Sequence, residues 1–572
     1  MNADNVLKVL SLMTHKPEGG TKEFAEWLTQ NDFLKFLSAS CTDEIPVYVS
    51  CGGIYIYSAV VPEKVLEGGY IDDLMKWQCP PDSTWGYDYS LTRRMTAKNI
   101  CVSGPFDIAG SKILKKATPL TSLRSYEGRI GRKGYVEFSQ YFTHLNGLHY
   151  DECKNTYSRL NEEGDIEDII KIFFDKEKIL VTIKKVVMDL HLFACKSVLL
   201  RLFDVTRYKD STSLSGGKRE ESDLQDAKNE IFARKGLVYD SEGLPTAGWL
   251  RGFQIIRNQE PRKKMLKIIA GKYSPAQKYE KFIAMDWKHQ RIAECSCDEK
   301  QLDSYFTDTG KPFQITPAFF KPEVLLKYKQ DKEKYKLTQR TISCRNSWHL
   351  QTYDINEAGQ VHTYLRYLGQ LPHSEQLHWK SYNEEPKGTI SKRAFITDIK
   401  GDWDRSYNPL SKLMKSLSEL QEMKKEFWSC EQGVDAFQLN YVVTDSLKEW
   451  TDEIHSLDKL VVECLGNTYL KGLAKKINCY EPHLGSIKLL KTILEKKGID
   501  DQELANIISP LDEIHDLRTK FSGHKTGRQV ERVRKQLIST HGNLKNHFRT
   551  LLERTEKAIN AISELISKGY LE

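Results

Sequence analysis

From about residue 406 to the C-terminus the apolar residues recur at the 3.6-residue period of a helix, and this constrains the chain more than any other feature. Helical segments are expected near 409–427, 445–477, 485–498, 501–520 and 528–569, with Ile454, Leu457, Val461 and Leu465 forming one such stripe. Asp500 or Asp501 is a suitable N-cap for the segment that carries Leu504 and Ile507. Short connections between long helices predict an antiparallel bundle over 406–572.

The residues before 406 follow other patterns. Residues 1–210 read as a mixed α+β domain. An amphipathic start (Val6, Leu7, Val9, Leu10) precedes a β-branched and aromatic run from Ile45 to Val61, broken by Gly52-Gly53, which predicts two strands around a turn. Ile179–Ile183 and Ser197–Phe203 read as strands and Val186–Cys195 as a helix. Residues 211–226 are rich in Ser, Gly and charge and are expected to form a linker or exposed loop. Residues 227–405 are expected to form a β-rich aromatic domain, because Lys281–Trp287, Phe313–Ile315 and Val361–Leu365 are extended runs rich in aromatic and β-branched residues. The fold class expected is therefore α+β and multidomain, since 572 residues exceed one ordinary core.

Composition bounds the function classes. With 40% hydrophobic and 28% charged residues the chain reads as globular. The most apolar stretch, Val186–Phe203, contains Asp189, His191, Lys196 and Arg201, so no membrane span is expected. The N-terminus lacks a basic region followed by a long apolar one, which predicts a cytoplasmic protein. The 12 cysteines are scattered, with only Cys295 and Cys297 close together, and are expected to be reduced thiols. No cofactor and no metal centre is expected.

A net charge of +7 is mild, but its distribution is not. Between Arg518 and Lys535 seven cations (Arg518, Lys520, Lys525, Arg528, Arg532, Arg534, Lys535) stand against Glu531 alone. Such a stretch attracts a polyanion by steering and counterion release, although a solvated helix face has the same letters. Arginine precedes histidine by six or seven residues at Arg366/His373, Arg518/His524 and Arg534/His541. The first is expected at a turn and the last on one face of a solvated helix. Arg518 ends an apolar helix (Leu504, Ile507, Ile508, Leu511, Ile514, Leu517) just before Ser522-Gly523, where a guanidinium and an imidazole can hold a phosphate and move a proton.

In this helical setting the Arg518–His524 spacing resembles the HEPN superfamily, over roughly residues 406–572. Its active members carry an arginine, a polar residue and, a few residues later, a histidine. The residue after the arginine is usually Asn, Asp or His in that pattern and is Thr519 here. The resemblance implies a metal-independent endoribonuclease with Arg518 and His524 as catalytic residues. Lys520, Lys525, Arg528, Arg532 and Lys535 would bind RNA. It also implies pairing of bundles into a homodimer or higher oligomer. Large N-terminal domains on such a nuclease would sense a phage-derived or cellular trigger in antiviral defence or growth arrest. The alternative expectation is a non-catalytic protein that uses the bundle for dimerisation or nucleic-acid capture. The region Phe313–Asn383, with Ile315-Thr-Pro-Ala-Phe-Phe-Lys-Pro-Glu-Val-Leu and Glu375-Gln-Leu-His-Trp-Lys-Ser-Tyr-Asn-Glu, is similar to large bacterial proteins that end in such a domain.

Other constellations carry expectations of their own. Gly216-Gly217-Lys218 lacks the first glycine of a phosphate loop and reads as exposed loop. Asp286 and Lys288, with Asp240 upstream, have the letters of a metal-dependent nuclease strand. His144 and His149 read as packed or capping residues. The basic Gly-rich run Arg124–Tyr135 is expected either to hold a phosphate or nucleic-acid backbone or to form a surface turn. Arg345–His349 and Trp379–Asn383 mix aromatic and polar groups, expected mainly of a half-buried β core.

Overall fold

In a computed structural model the described residues are 2–76, 111–124, 135–175, 178–210, 213, 217–269, 278–431, 433, 438–521 and 528–572, apart from the side chains of Arg124, Arg528 and Gln529. They form two compact units, residues 1–161 with 166–276, and residues 162–165 with 277–572. Mixed helix and strand in two units bear out the α+β, multidomain expectation.

The first unit is built on one antiparallel sheet, eleven-stranded among the described residues. Its order is Lys218–Asp226, Ile231–Tyr239, Pro245–Ile256, Ser197–Tyr208, Ile54–Pro62, Glu44–Cys51, Lys178–Lys184, Ile166–Phe174, Thr156–Leu160 and His149–Asp151, with Thr118–Pro119 also paired to Ile54–Pro62. The central strands are covered on both faces, which is why they read as continuous apolar runs rather than alternations. One face packs Val49, Ile56 and Phe203 under Val6, Leu10, Phe33 and Phe36 of the N-terminal helices. The other packs Ile45, Val47 and Leu202 under Val187, Met188 and Leu192 of the helix Lys185–Cys195. The predicted turn at Gly52-Gly53 is present, with Cys51 opposite Ile54 and positive φ at both glycines. A Cβ on Gly53 would stand 2.6 Å from the carbonyl oxygen of Thr206.

The linker or exposed loop expected over 211–226 does not separate two units, because the first unit runs through it, although residues 211, 212 and 214–216 lie outside the described residues. Lys218–Asp226 is the edge strand of this sheet, and the two strands after it extend the pairing to Ser197–Tyr208. The strand is exposed from Lys218 to Asp223, with Leu224 half-buried against the core, and it carries charge, the usual way an edge resists further pairing. Its composition mimics a loop for that reason. The compact first unit therefore continues to residue 276, well past the expected boundary.

The second unit joins what the sequence divided at 405/406. Its mixed part has a sheet in the order Arg291–Ser296, Lys281–Asp286, Pro317–Phe320, Val361–Tyr364, Asp354–Ile355, with Asn383–Glu384 also paired to Pro317–Phe320. A three-stranded meander, Tyr335–Leu337, Ile342–Cys344 and Trp348–Leu350, lies beside it in the same core. The conspicuous run from Glu375 is a buried polar scaffold. The Glu375 carboxylate accepts from Tyr328 and Lys327, both at 2.7 Å, and the Trp379 indole donates to the Tyr328 hydroxyl at 2.9 Å. Asn383 donates to the carbonyls of Ile283 and Phe319. Each group buried with a partner avoids the cost of an orphan, so these residues are architectural.

The bundle comprises Pro409–Met423, Leu447–Asp458, Asn467–Lys476, Ser486–Lys496, Asp501–Phe521, Arg528–His541 and Leu544–Ser567. Two segments expected to be continuous are divided. The first breaks at Gly466, where a Cβ would meet the carbonyl oxygen of Glu426 at 1.9 Å; the second breaks at Gly542, whose φ is positive. Asp500 caps as expected, accepting from the backbone N–H of Gln502 and Glu503. Pro510 is accommodated inside its helix. The bundle is tied to the mixed part by Lys329, which reaches Glu449 at 2.5 Å and Glu453 at 3.5 Å, all three side chains being nearly fully buried.

Candidate functional site

The helix Asp501–Phe521 buries Leu504, Ile507, Ile508, Leu511, Ile514 and Leu517, the stripe read from the sequence. Phe521, its last residue, packs edge-on against Trp450 with ring centroids 5.1 Å apart, which anchors the helix end. The polar side of the last two turns then carries His515 and Arg518, three residues apart and so on one face.

Both meet Asp458, the last residue of the helix Leu447–Asp458. Its side chain has no exposed surface. One carboxylate oxygen lies 3.1 Å from His515 Nδ1, and the other lies 3.6 Å from Arg518 Nε without a hydrogen bond. Burial pushes the Asp458 carboxyl above the usual range, while His515 and Arg518 oppose that shift. The helix continues past Asp458 as a wider π turn, Lys459–Glu463. Five residues on, an α-helix would turn Glu463 about 140° away from Asp458. The π turn narrows that angle, and Glu463 accepts from Arg518 Nη2 at 2.8 Å. Arg518 is thus gripped by two carboxylates. His515 keeps about half its side-chain surface exposed, and its Nε2 has no partner among the described residues.

Of the expected catalytic pair, the structure describes Arg518 only. His524 and Lys525 lie outside the described residues, as does the side chain of Arg528 at the start of the next helix. Lys520 pairs with Asp516. Arg532 and Lys535 are exposed on Arg528–His541, a helix that buries none of its described side chains. Thr519 is exposed. The sequence does not by itself bring Asp458, Glu463 and His515 to this site. A signal for Asp458 existed, because it falls four residues after Ile454 and three before Val461, a charge set on a buried stripe.

A second cluster stands behind this one. His547 is fully buried, accepts at Nδ1 from the Trp450 indole at 3.2 Å and meets Glu513 through Nε2 at 3.1 Å. Arg554 holds the other Glu513 oxygen and donates to Ser509 at 2.8 Å. Every group is matched, so the cluster braces three helices.

The other expectations separate. The turn expected between Arg366 and His373 is present at Gln370–Leu371, with Arg366 in the short helix before it, donating to Gln314 at 3.2 Å, and His373 after it, paired with Glu280 at 3.0 Å. Arg534 pairs with Glu531 at 3.7 Å. Asp240 holds a tight turn of the first unit through the N–H groups of Glu242 and Leu244. In the second unit Asp286 is taken by His289, and Lys288 by Asp303 and Asp308. Among the described residues no group of three or more His, Cys, Asp or Glu is placed to hold a metal. His144 and His149 are exposed rather than packed. Gly216 and residues 125–134 lie outside the described residues, and Lys218 belongs to the edge strand. Cys297 is buried beside Gln376, and burial pushes its thiol up to about 12. No helix of the described residues is long and apolar enough to cross a membrane. The chain matches no known protein family, no curated protein and no solved structure.

Proposed function

We propose that the helical bundle is a metal-independent endoribonuclease of HEPN type, with His515, Asp458 and Arg518 at its centre and His524 as a second imidazole. One observation carries this reading: a fully buried carboxylate holds an imidazole and a guanidinium together at the end of a helix that leads into a basic one. Asp458 on Nδ1 favours the tautomer in which Nε2 accepts a proton, the logic of a carboxylate–histidine pair. His515 Nε2 takes the proton of a ribose 2′-hydroxyl, whose oxygen attacks the adjacent phosphorus. The 5′-oxygen departs with a proton from His524, leaving 2′,3′-cyclic phosphate and 5′-hydroxyl ends. Arg518 stabilises the charge on the phosphoryl oxygens, the phosphate replacing the half-exposed Glu463 carboxylate. Pairing of two chains would wall the groove. The mixed α+β part would sense a phage-derived or cellular trigger, so that cleavage serves antiviral defence or growth arrest.

One observation favours a second reading, in which the bundle binds RNA or protein without catalysis: Arg518 already has two carboxylate partners. Incubating the full-length protein with total RNA, with and without EDTA, and identifying the product ends separates the two. Cleavage that survives EDTA and leaves cyclic phosphate ends supports the nuclease. Retained RNA with no cleavage supports the second reading.

A further inference from the structure

We propose that the second unit holds a separate site for a small phosphorylated molecule of the nucleoside phosphate class. The site is a cleft of about 600 Å³, within the size range of small-molecule pockets. Lys392 and Arg393 of the mixed part line it, with Lys545 and Arg549 of the bundle and the rings of Tyr407 and Tyr441. It shares no residue with the Asp458 cluster.

The charges in this cleft are unevenly committed. Arg393 is spent within the wall, donating to both oxygens of the buried Asp354, which also accepts from Ser391. Of the other lining carboxylates, Asp404 is satisfied by the backbone and hydroxyl of Ser406, and Glu357 accepts from the Lys392 backbone N–H at 3.3 Å. The Lys392 ammonium has no partner among the described residues. Lys545 reaches Asp445 only at 3.8 Å, and Arg549 reaches Glu553 only at 3.6 Å. Three cations from two parts of one unit are therefore available to one anionic ligand, and phosphate oxygens are the acceptors that engage several such donors at once.

Volume decides the rest of the ligand. Inorganic phosphate would leave most of the cleft unfilled, so an organic portion is required. The two tyrosines suit a planar one, because their hydroxyls are fixed at 2.9 Å by Glu556 and Asn408 respectively, which holds both rings in place. Asn440 and Asn546 on the same lining donate their amide nitrogens to the carbonyls of Gln438 and His541, which orients the two side chains and leaves their Oδ1 atoms to accept from a base edge.

Titration calorimetry of the full-length protein with ATP, AMP and pyrophosphate tests the assignment, without RNA cleavage as a readout. ATP should bind, with pyrophosphate weaker by about tenfold or more. The triple variant Lys392→Gln, Lys545→Gln, Arg549→Gln should keep the wild-type circular dichroism spectrum and lose about tenfold or more in ATP affinity, as expected for lost charge-assisted hydrogen bonds. AMP binding close to that of ATP would place one phosphate among the cations; a large gap would place several. Absence of ATP binding, or equal affinity in the folded triple variant, overturns the site. Pyrophosphate binding as tightly as ATP overturns the nucleoside class.

Discussion

Among single residues Asp458 is decisive, because it holds His515 and Arg518 together. Its folded pKa is raised, so the fold binds its proton more tightly than the unfolded chain does. The ionised carboxylate therefore costs stability at neutral pH, and that cost fades as the pH falls through its folded pKa. A group kept at such a cost is accounted for by its grip on His515 and Arg518. Asp458→Asn should leave thermal stability at pH 7 unchanged or higher, while slowing RNA cleavage by roughly 10²-fold or more through loss of the imidazole's orientation. In the wild type, activity should rise with pH through a carboxyl titration above the usual range, and the variant should lack that limb. Glu463 makes the opposite case. If a phosphate displaces it from Arg518, Glu463→Gln should tighten RNA binding in a filter-binding assay, whereas weaker binding would show that the carboxylate positions the arginine.

At the element scale, the exposed helix Arg528–His541 follows the Asp501–Phe521 helix that carries the cluster. Arg532 and Lys535 lie three residues apart on it with no ion-pair partner among the described residues. Replacing both with glutamine should reduce the slope of log affinity for RNA against log salt by roughly one to two units. An unchanged slope would assign them to a solvated face. Much of this element structure was legible in the sequence, because the bundle's apolar stripes and the Gly52-Gly53 hairpin depend on local periodicity and local backbone demand. The edge strand Lys218–Asp226 was not, since an exposed strand and a polar loop have the same composition and only the partner strand distinguishes them. The site was half legible for a related reason. Arg518 could be read from its place at a helix end. Asp458 sits 60 positions earlier and joins it through packing between helices, which spacing along the chain cannot express.

At the scale of the whole molecule, the expected boundaries at 211–226 and 405/406 both fall inside compact units. Sheet pairing across the first and buried ion pairs across the second carry no mark in local composition. Lys329 is the clearest instance, because Glu449 and Glu453 would remain buried without a cation if it were lost. Lys329→Met should destabilise the second unit by roughly 3–5 kcal/mol, read from chemical denaturation. The bundle should accordingly be studied within the full chain rather than cut at residue 406. The role of His515 is read most simply from the rate of RNA cleavage by the full chain carrying His515→Ala in EDTA, beside wild type. A general base at His515 predicts a loss of roughly 10²–10⁴-fold with the fold intact. An unchanged rate would contradict it and remove the Asp458–His515 pair from the chemistry.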